Sequence, residues 1–187
     1  HKEGVGTTHF SVVDSYGNSL SLTSTIETGF GSRLIAGGFL LNNEMTDFAF
    51  VPKKKDGLIA NRVEGGKRPR SSMSPTIVLK NNKPYLLLGS PGGSRIISYV
   101  AKTIISVLDW GMDLQSAINS GHVVNRNGVT ELEEASDALG LKKGLSQLGH
   151  QIKVRNLNSG IQMIQINDDG TLVGAADPRR EGLVIGD

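Results

Sequence analysis

The feature that most constrains this chain is an alternation running from Thr8 to Ile26, broken once by a short turn. Phe10 and Val12 fall on one side of the first strand, with His9, Ser11 and Val13 on the other. Asp14-Ser15-Tyr16-Gly17-Asn18 is turn chemistry, rich in residues that tolerate tight backbone angles. The return strand sets Leu20, Leu22 and Ile26 against Ser19, Ser21, Thr23 and Thr25. The result is an antiparallel hairpin with a polar edge facing something. A turn centred on Tyr16 puts Thr7 opposite Thr25, within hydroxyl reach. A slip of one residue would undo that pairing, so the register carries the prediction.

Downstream, "SPTIVLKNNKPYLLLGS" predicts a second hairpin turning at Asn81-Asn82. A helix is expected from Ile96 to Leu108, its buried stripe formed by Ile97, Val100, Ile104, Ile105 and Leu108. Asp113 is a suitable N-cap for a second helix, and residues 134–148 suggest a third. "HQIKVRNL", "GIQMIQIN" and "TLVGAAD" read as closing strands, and residues 52–68 as a mobile surface loop. Antiparallel hairpins with helices between them indicate an α+β layered domain.

Composition narrows the function. The 187 residues suffice for one substantial core. Basic and acidic residues number 20 and 18 and are interspersed, so no stripe favours nucleic acid or a membrane surface. No apolar run approaches the roughly 20 residues that span a bilayer. The absence of cysteine removes disulfides, thiolate catalysis and cysteine-held metals. His1, His9, His122 and His150 include no pair at helical ligand spacing, so no metal and no cofactor is expected. His9 reads as structural, as do Arg95 and Arg179.

Candidate chemistry begins at Gly6-Thr7. A threonine hydroxyl needs a neighbouring base, and the free α-amine of a chain-initial threonine is one such base. The Thr7 hydroxyl could attack the Gly6 carbonyl, and hydrolysis of the resulting ester would free that amine; taken alone, Gly-Thr is more often a plain strand start. Gly92-Gly93 precedes a helix, where backbone N–H groups favour negative charge and could hold an oxyanion. A glycine-rich helix cap is the commoner meaning of such a pair. "KRPRSSMSP" offers Ser71 and Ser72 beside cations, or merely a solvated loop. "NNEMTD" offers Glu44 and Asp47 for an ammonium, or only caps and surface charge.

Together, "TTHFSVVDSYGNSLSLTSTI", "LLNNEMTDF", "KRPRSSMSPTIV", "GSPGGSRI" and "GAADPRR" occur in the order seen in the γ-glutamyltransferase family and resemble its small, carboxy-terminal subunit. The matches run from Thr7 to about Arg180. The resemblance implies a four-layer αββα sandwich of the N-terminal nucleophile hydrolase type, completed by a large subunit from the same self-cleaving precursor. It makes residues 1–6 a pre-cleavage segment or an expression remnant, and 7–187 the small catalytic subunit. Thr7 would be the nucleophile and Thr25 its hydroxyl partner. Gly92 and Gly93 would form the oxyanion hole. Ser71 and Ser72 would bind the donor's α-carboxylate, with Glu44 and Asp47 holding its α-amine. The implied donor is a γ-glutamyl amide such as glutathione, resolved by water or an acceptor amine. Export to the periplasm or medium is favoured by resemblance alone.

Three positions depart from the family pattern. Glu27 stands where transpeptidases commonly carry asparagine near the donor carboxylate, and a second carboxylate there would be repelled unless a proton or cation intervenes. Arg70 replaces the usual apolar residue before the serines, and a lysine run marks the loop between Asp47 and Ser71. These keep in view acylases of glutaryl-cephalosporin type and poly-γ-glutamate depolymerases. An inactive or unprocessed homologue with a structural role is the reading from another class.

Overall fold

A computed structural model describes residues 6–186, which form two compact units. Among the described residues, the first holds Gly6 and Thr7 together with Ser24–Ser72; the second holds Thr8–Thr23 and residues 73–186. Of the expected pre-cleavage segment, only Gly6 falls within the described residues.

The opening hairpin forms as expected, from β1 (Thr7–Val13) and β2 (Ser19–Thr25). The Asp14 carboxylate closes its turn by accepting from the Tyr16 and Asn18 amides, at 2.9 and 2.8 Å. The polar side is the inward one. His9 is buried, while Phe10, Val12 and Leu20 are exposed. Ser21 Oγ donates to the Leu88 carbonyl at 3.0 Å, and the His9 ring occupies the space where a Cβ on Gly89 would lie.

Most of the first unit is irregular chain carrying two small ladders, β3 (Ile35–Ala36) with β4 (Phe39–Leu40) and β5 (Lys53–Lys54) with β6 (Gly57–Leu58). A short 3-10 helix covers Glu44–Asp47. The segment expected as a mobile surface loop, 52–68, lies mostly at the surface and carries short local structure. Its lysines are exposed, but it contains the β5–β6 turn and a cluster in which Glu64 pairs with both Arg62 and Lys67.

The second unit is built on β7 (Thr76–Lys80) and β8 (Lys83–Gly89), joined through Asn81 and Asn82. Both asparagines have positive φ, 53° and 62°, the backbone that a two-residue hairpin turn requires and asparagine tolerates. Next come α1 (Ile96–Leu108), α2 (Leu114–Asn119), β9 (Val123–Asn125), β10 (Thr130–Glu133), α3 (Lys142–Gln147), β11 (Ile152–Arg155), β12 (Gln162–Ile166) and β13 (Leu172–Ala176). One antiparallel sheet has the order β13-β12-β8-β7. A second, β11-β10-β9, is mixed, with β10 parallel to β11. Leu86, Leu88, Met163 and Ala175 of the larger sheet meet Ile96, Tyr99, Val100, Val107, Ala117 and Ile118 of the helices in one core. The architecture is α+β.

Helix α1 has the expected bounds but only part of the expected buried face. Ile96, Tyr99, Val100, Thr103, Ser106 and Val107 point inward, whereas Ile97, Ile105 and Leu108 are exposed. Thr103 and Ser106 can be buried because their hydroxyls donate to the Tyr99 and Lys102 carbonyls one turn back. Of the expected stripe, Val100 is buried and Ile104 packs half-buried against the core, so apolarity alone selected only part of the inward face. The Asp113 cap is present, accepting from the Ser116 amide at 2.9 Å. The third helix is shorter than 134–148: a 3-10 turn over Asp137–Leu141 leads into α3.

Candidate active site

Within the first unit, the hairpin register places Thr7 Oγ 2.9 Å from Thr25 Oγ. Thr25 Oγ also accepts from the Glu27 amide at 2.9 Å and lies 3.3 Å from the Gly6 carbonyl oxygen. The Ile26 amide donates to that same oxygen at 3.1 Å. A consistent proton order runs from the Thr7 hydroxyl to Thr25 Oγ and from the Thr25 hydroxyl to the Gly6 carbonyl. Two donors thus converge on the carbonyl that the Thr7 oxygen would attack. Glu27 takes a left-handed backbone, φ 73°, and its carbonyl oxygen would lie 2.5 Å from a Cβ at position 6. Glycine is the residue that fits there.

The acidic candidates are also together. Burial raises the Glu44 carboxyl above its ordinary pKa, and the charges of Asp47 and Glu27 raise it further. Such crowded negative charge favours a cation among the three. Asn61 was not foreseen. Its side-chain amide donates to the Asp47 carbonyl at 2.7 Å, and its oxygen accepts from the Arg70 amide at 2.9 Å. It thereby ties the acidic turn to the segment that delivers exposed Ser71 and half-buried Ser72. An asparagine inside a charged loop carries no sequence signal for such a role.

Within the second unit, Gly92 and Gly93 lead into α1 with φ of 138° and 58°. A Cβ on Gly92 would fall 2.6 Å from the Tyr99 ring, so neither backbone angle nor space admits a side chain. Arg95, buried at the start of α1, is held by Glu131 through two bonds of 2.6 and 3.0 Å. Arg155 adds a third at 2.8 Å. Arg179 grips Glu133 and donates to the Ile118, Asn119 and Ser120 carbonyls that end α2. Both arginines are structural, as expected. His9 lies between Thr23 Oγ and Ser11 Oγ, at 2.8 and 3.2 Å, and burial lowers its pKa to about 4. It is neutral near pH 7.

Among the described residues no group of three metal-ligating side chains occurs, and no helix is long and apolar enough to cross a membrane.

Comparison with known proteins bears on this arrangement. The family profile described as Gamma-glutamyltranspeptidase matches residues 1–186. The chain is 41% identical over 181 residues to the glutathione hydrolase proenzyme of Escherichia coli, covering 92% of this chain and 31% of that protein. It is 35% identical over 186 residues to an acylase proenzyme from a Pseudomonas species, covering 98% of this chain and 32% of that protein. The chain thus spans about a third of the length of these relatives. Among solved structures, a mutant of Helicobacter pylori gamma-glutamyltranspeptidase superposes with a TM-score of 0.83 at 40% identity, over 92% of this chain and 100% of that one. With its whole described length matched in sequence and its fold shared, the chain belongs to the gamma-glutamyltranspeptidase family of N-terminal nucleophile hydrolases.

Proposed function

We propose that this chain is the small catalytic subunit of a self-cleaving threonine enzyme that transfers or hydrolyses γ-glutamyl groups, glutathione being the type of donor. The observation that carries the reading is the Thr7–Thr25 hydroxyl pair at 2.9 Å, set beside a Gly6 carbonyl with two donors on its oxygen. In the first event, Thr7 Oγ attacks the Gly6 carbonyl carbon and the acyl group passes from nitrogen to oxygen. Water then cleaves the ester, leaving Gly6 as a carboxylate and Thr7 with a free amine. Residues before Thr7 then belong to the large subunit, the proposed partner from the same precursor.

In turnover that amine takes the hydroxyl proton while Thr7 Oγ attacks the donor's γ-carbonyl. Thr25 orients the hydroxyl, and the Gly92 and Gly93 amides serve the developing oxyanion. The leaving amine departs with a proton, and water or an acceptor amine resolves the γ-glutamyl-threonine ester to glutamate or a new γ-glutamyl amide. Glu44 and Asp47 receive the donor's α-ammonium, which offsets the neighbouring negative charge that adds to burial in raising the Glu44 pKa. Ser71 and Ser72 supply hydroxyls for the α-carboxylate. Glu27 is set on the acidic side of this arrangement, which favours the ammonium.

An acylase stands among the relatives, and the glutaryl amides implied by the family resemblance are the competing donors. Kinetics of the processed full-length enzyme on γ-glutamyl and glutaryl p-nitroanilides decide between them. A glutaryl group keeps the terminal carboxylate but lacks the α-ammonium, leaving the acidic cluster of Glu44 and Asp47 without its partner. The γ-glutamyl substrate is expected to win by about 100-fold or more in kcat/KM. Equal or better turnover of the glutaryl substrate would make this an acylase. Turnover of neither by a cut enzyme would remove the activity.

A further inference from the structure

We infer that Ser90 is a positioning residue for the oxyanion site, its hydroxyl fixing the direction in which the Gly92 N–H points. The inference rests on the assignment of Gly92 and Gly93 above. Ser90 is fully buried at the end of β8. Its Oγ donates to the Pro91 carbonyl at 2.6 Å and accepts the Gly160 amide at 3.1 Å. The Pro91 carbonyl and the Gly92 N–H belong to one planar peptide unit and point in opposite directions from it. Whatever holds that oxygen therefore aims that N–H. Proline locks its own φ, but the Pro91–Gly92 peptide can still turn about Pro91 ψ and Gly92 φ, and glycine offers little resistance.

The anchor on the far side of Ser90 is itself rigid. A Cβ on Gly160 would meet Pro91 Cγ at 2.6 Å and Arg180 Cδ at 2.8 Å, so the two segments touch. Arg180 donates to the Ser159 and Asn158 carbonyls at 3.2 and 2.9 Å. Buried Ser159 donates to Asp177 at 2.5 Å and contacts His122 Nε2 at 2.8 Å. The His122 ring lies 4.3 Å from Tyr99, the ring that backs Gly92. The Ser90-Pro91-Gly92 turn is thus clamped between Gly160 on one side and Tyr99 on the other. Among these contacts, the Ser90 hydroxyl is the one that sets the rotation of the Pro91–Gly92 peptide.

The test is Ser90→Ala in the processed full-length enzyme, with γ-glutamyl-p-nitroanilide as substrate. Deleting an oxyanion donor outright costs about 10²–10³ in kcat, so misaiming one should cost about 10–100-fold, with KM within about twofold. Hydrogen exchange of the Gly92 and Gly93 amides should accelerate by about tenfold, while the α1 interior is unchanged. A folded Ser90→Ala enzyme with kcat within twofold of the parent overturns the inference. So does a rise in KM with kcat intact, which would mark a binding role. If Ser90→Ala does not accumulate, Gly160→Ala displaces Pro91 from the opposite side and is expected to lower kcat in the same way; an unchanged kcat again overturns it. Should the parent turn over no γ-glutamyl amide, the proposed function fails separately. Exchange at Gly92 then decides the Ser90 assignment: acceleration supports it, and unchanged exchange ends it.

Discussion

Thr7→Ala leaves the full precursor as one uncut polypeptide and lowers γ-glutamyl turnover by at least about 10⁴-fold, the scale seen when a covalent nucleophile is removed. Under the proposed function both effects follow from a single oxygen, which would attack Gly6 once and donors thereafter. Thr7→Ser keeps an oxygen within reach of Thr25 and should still be cut, more slowly. Thr25→Ala should be milder than Thr7→Ala. It removes one of two donors to the Gly6 carbonyl and leaves the Ile26 amide in place. Intact-mass measurement of the polypeptides reads these outcomes directly. Appearance of a chain beginning at residue 7 in Thr7→Ala would mean that some other group does the cutting. An uncut parent would favour the unprocessed, structural homologue.

The largest stability effect is expected at Glu131. This buried carboxylate receives Arg95 through two bonds and Arg155 through one. Glu131→Ala strips those guanidinium groups of their shared anion, a change that costs about 3–5 kcal/mol when one partner of a buried pair is removed. Glu131→Gln keeps an acceptor and should lose less. The hydrogen bond from Arg95 is the main cause that lowers the Glu131 pKa from 4.5 to about 2. Because the folded value is the lower one, this stabilisation is complete above about pH 4.5 and disappears as the pH falls toward 2. Urea unfolding between those limits should show a steeper loss in the parent than in Glu131→Gln. Parallel slopes would mean that the carboxylate's charge contributes nothing.

That same residue shows why part of the fold was hidden in the sequence. The two carboxylates of "TELE" give no local signal of burial, yet Thr130, Glu131, Leu132 and Glu133 are all buried in β10. The guanidinium groups that make this tolerable come from Arg95, Arg155 and Arg179, distant positions that no local window connects. Strands governed by short-range alternation were legible, as were the Asn81-Asn82 turn and the Asp113 cap. For α1 the bounds were legible and the buried face only in part, because Thr103 and Ser106 satisfy their hydroxyls within the helix. The site was legible to the extent that its register was. Counting outward from Tyr16 paired Thr7 with Thr25, while Asn61 and Ser90 act through backbone groups of segments far along the chain. Their roles depend on where carbonyls and amides lie, which residue type does not disclose.

The neutral ring of His9 has a consequence for the pH–rate curve. A histidine two residues from the proposed nucleophile invites assignment of any inflection near pH 6.5 to imidazole. Burial between Thr23 and Ser11 moves its protonation to about pH 4. Through the neutral range His9 therefore contributes a constant dipole and no change in charge. An inflection near 6.5 to 8 in kcat/KM would belong instead to the α-amine released at Thr7, whose unperturbed pKa is about 7.7–8.0. It should survive His9→Gln; its loss in that variant would return the titration to the imidazole.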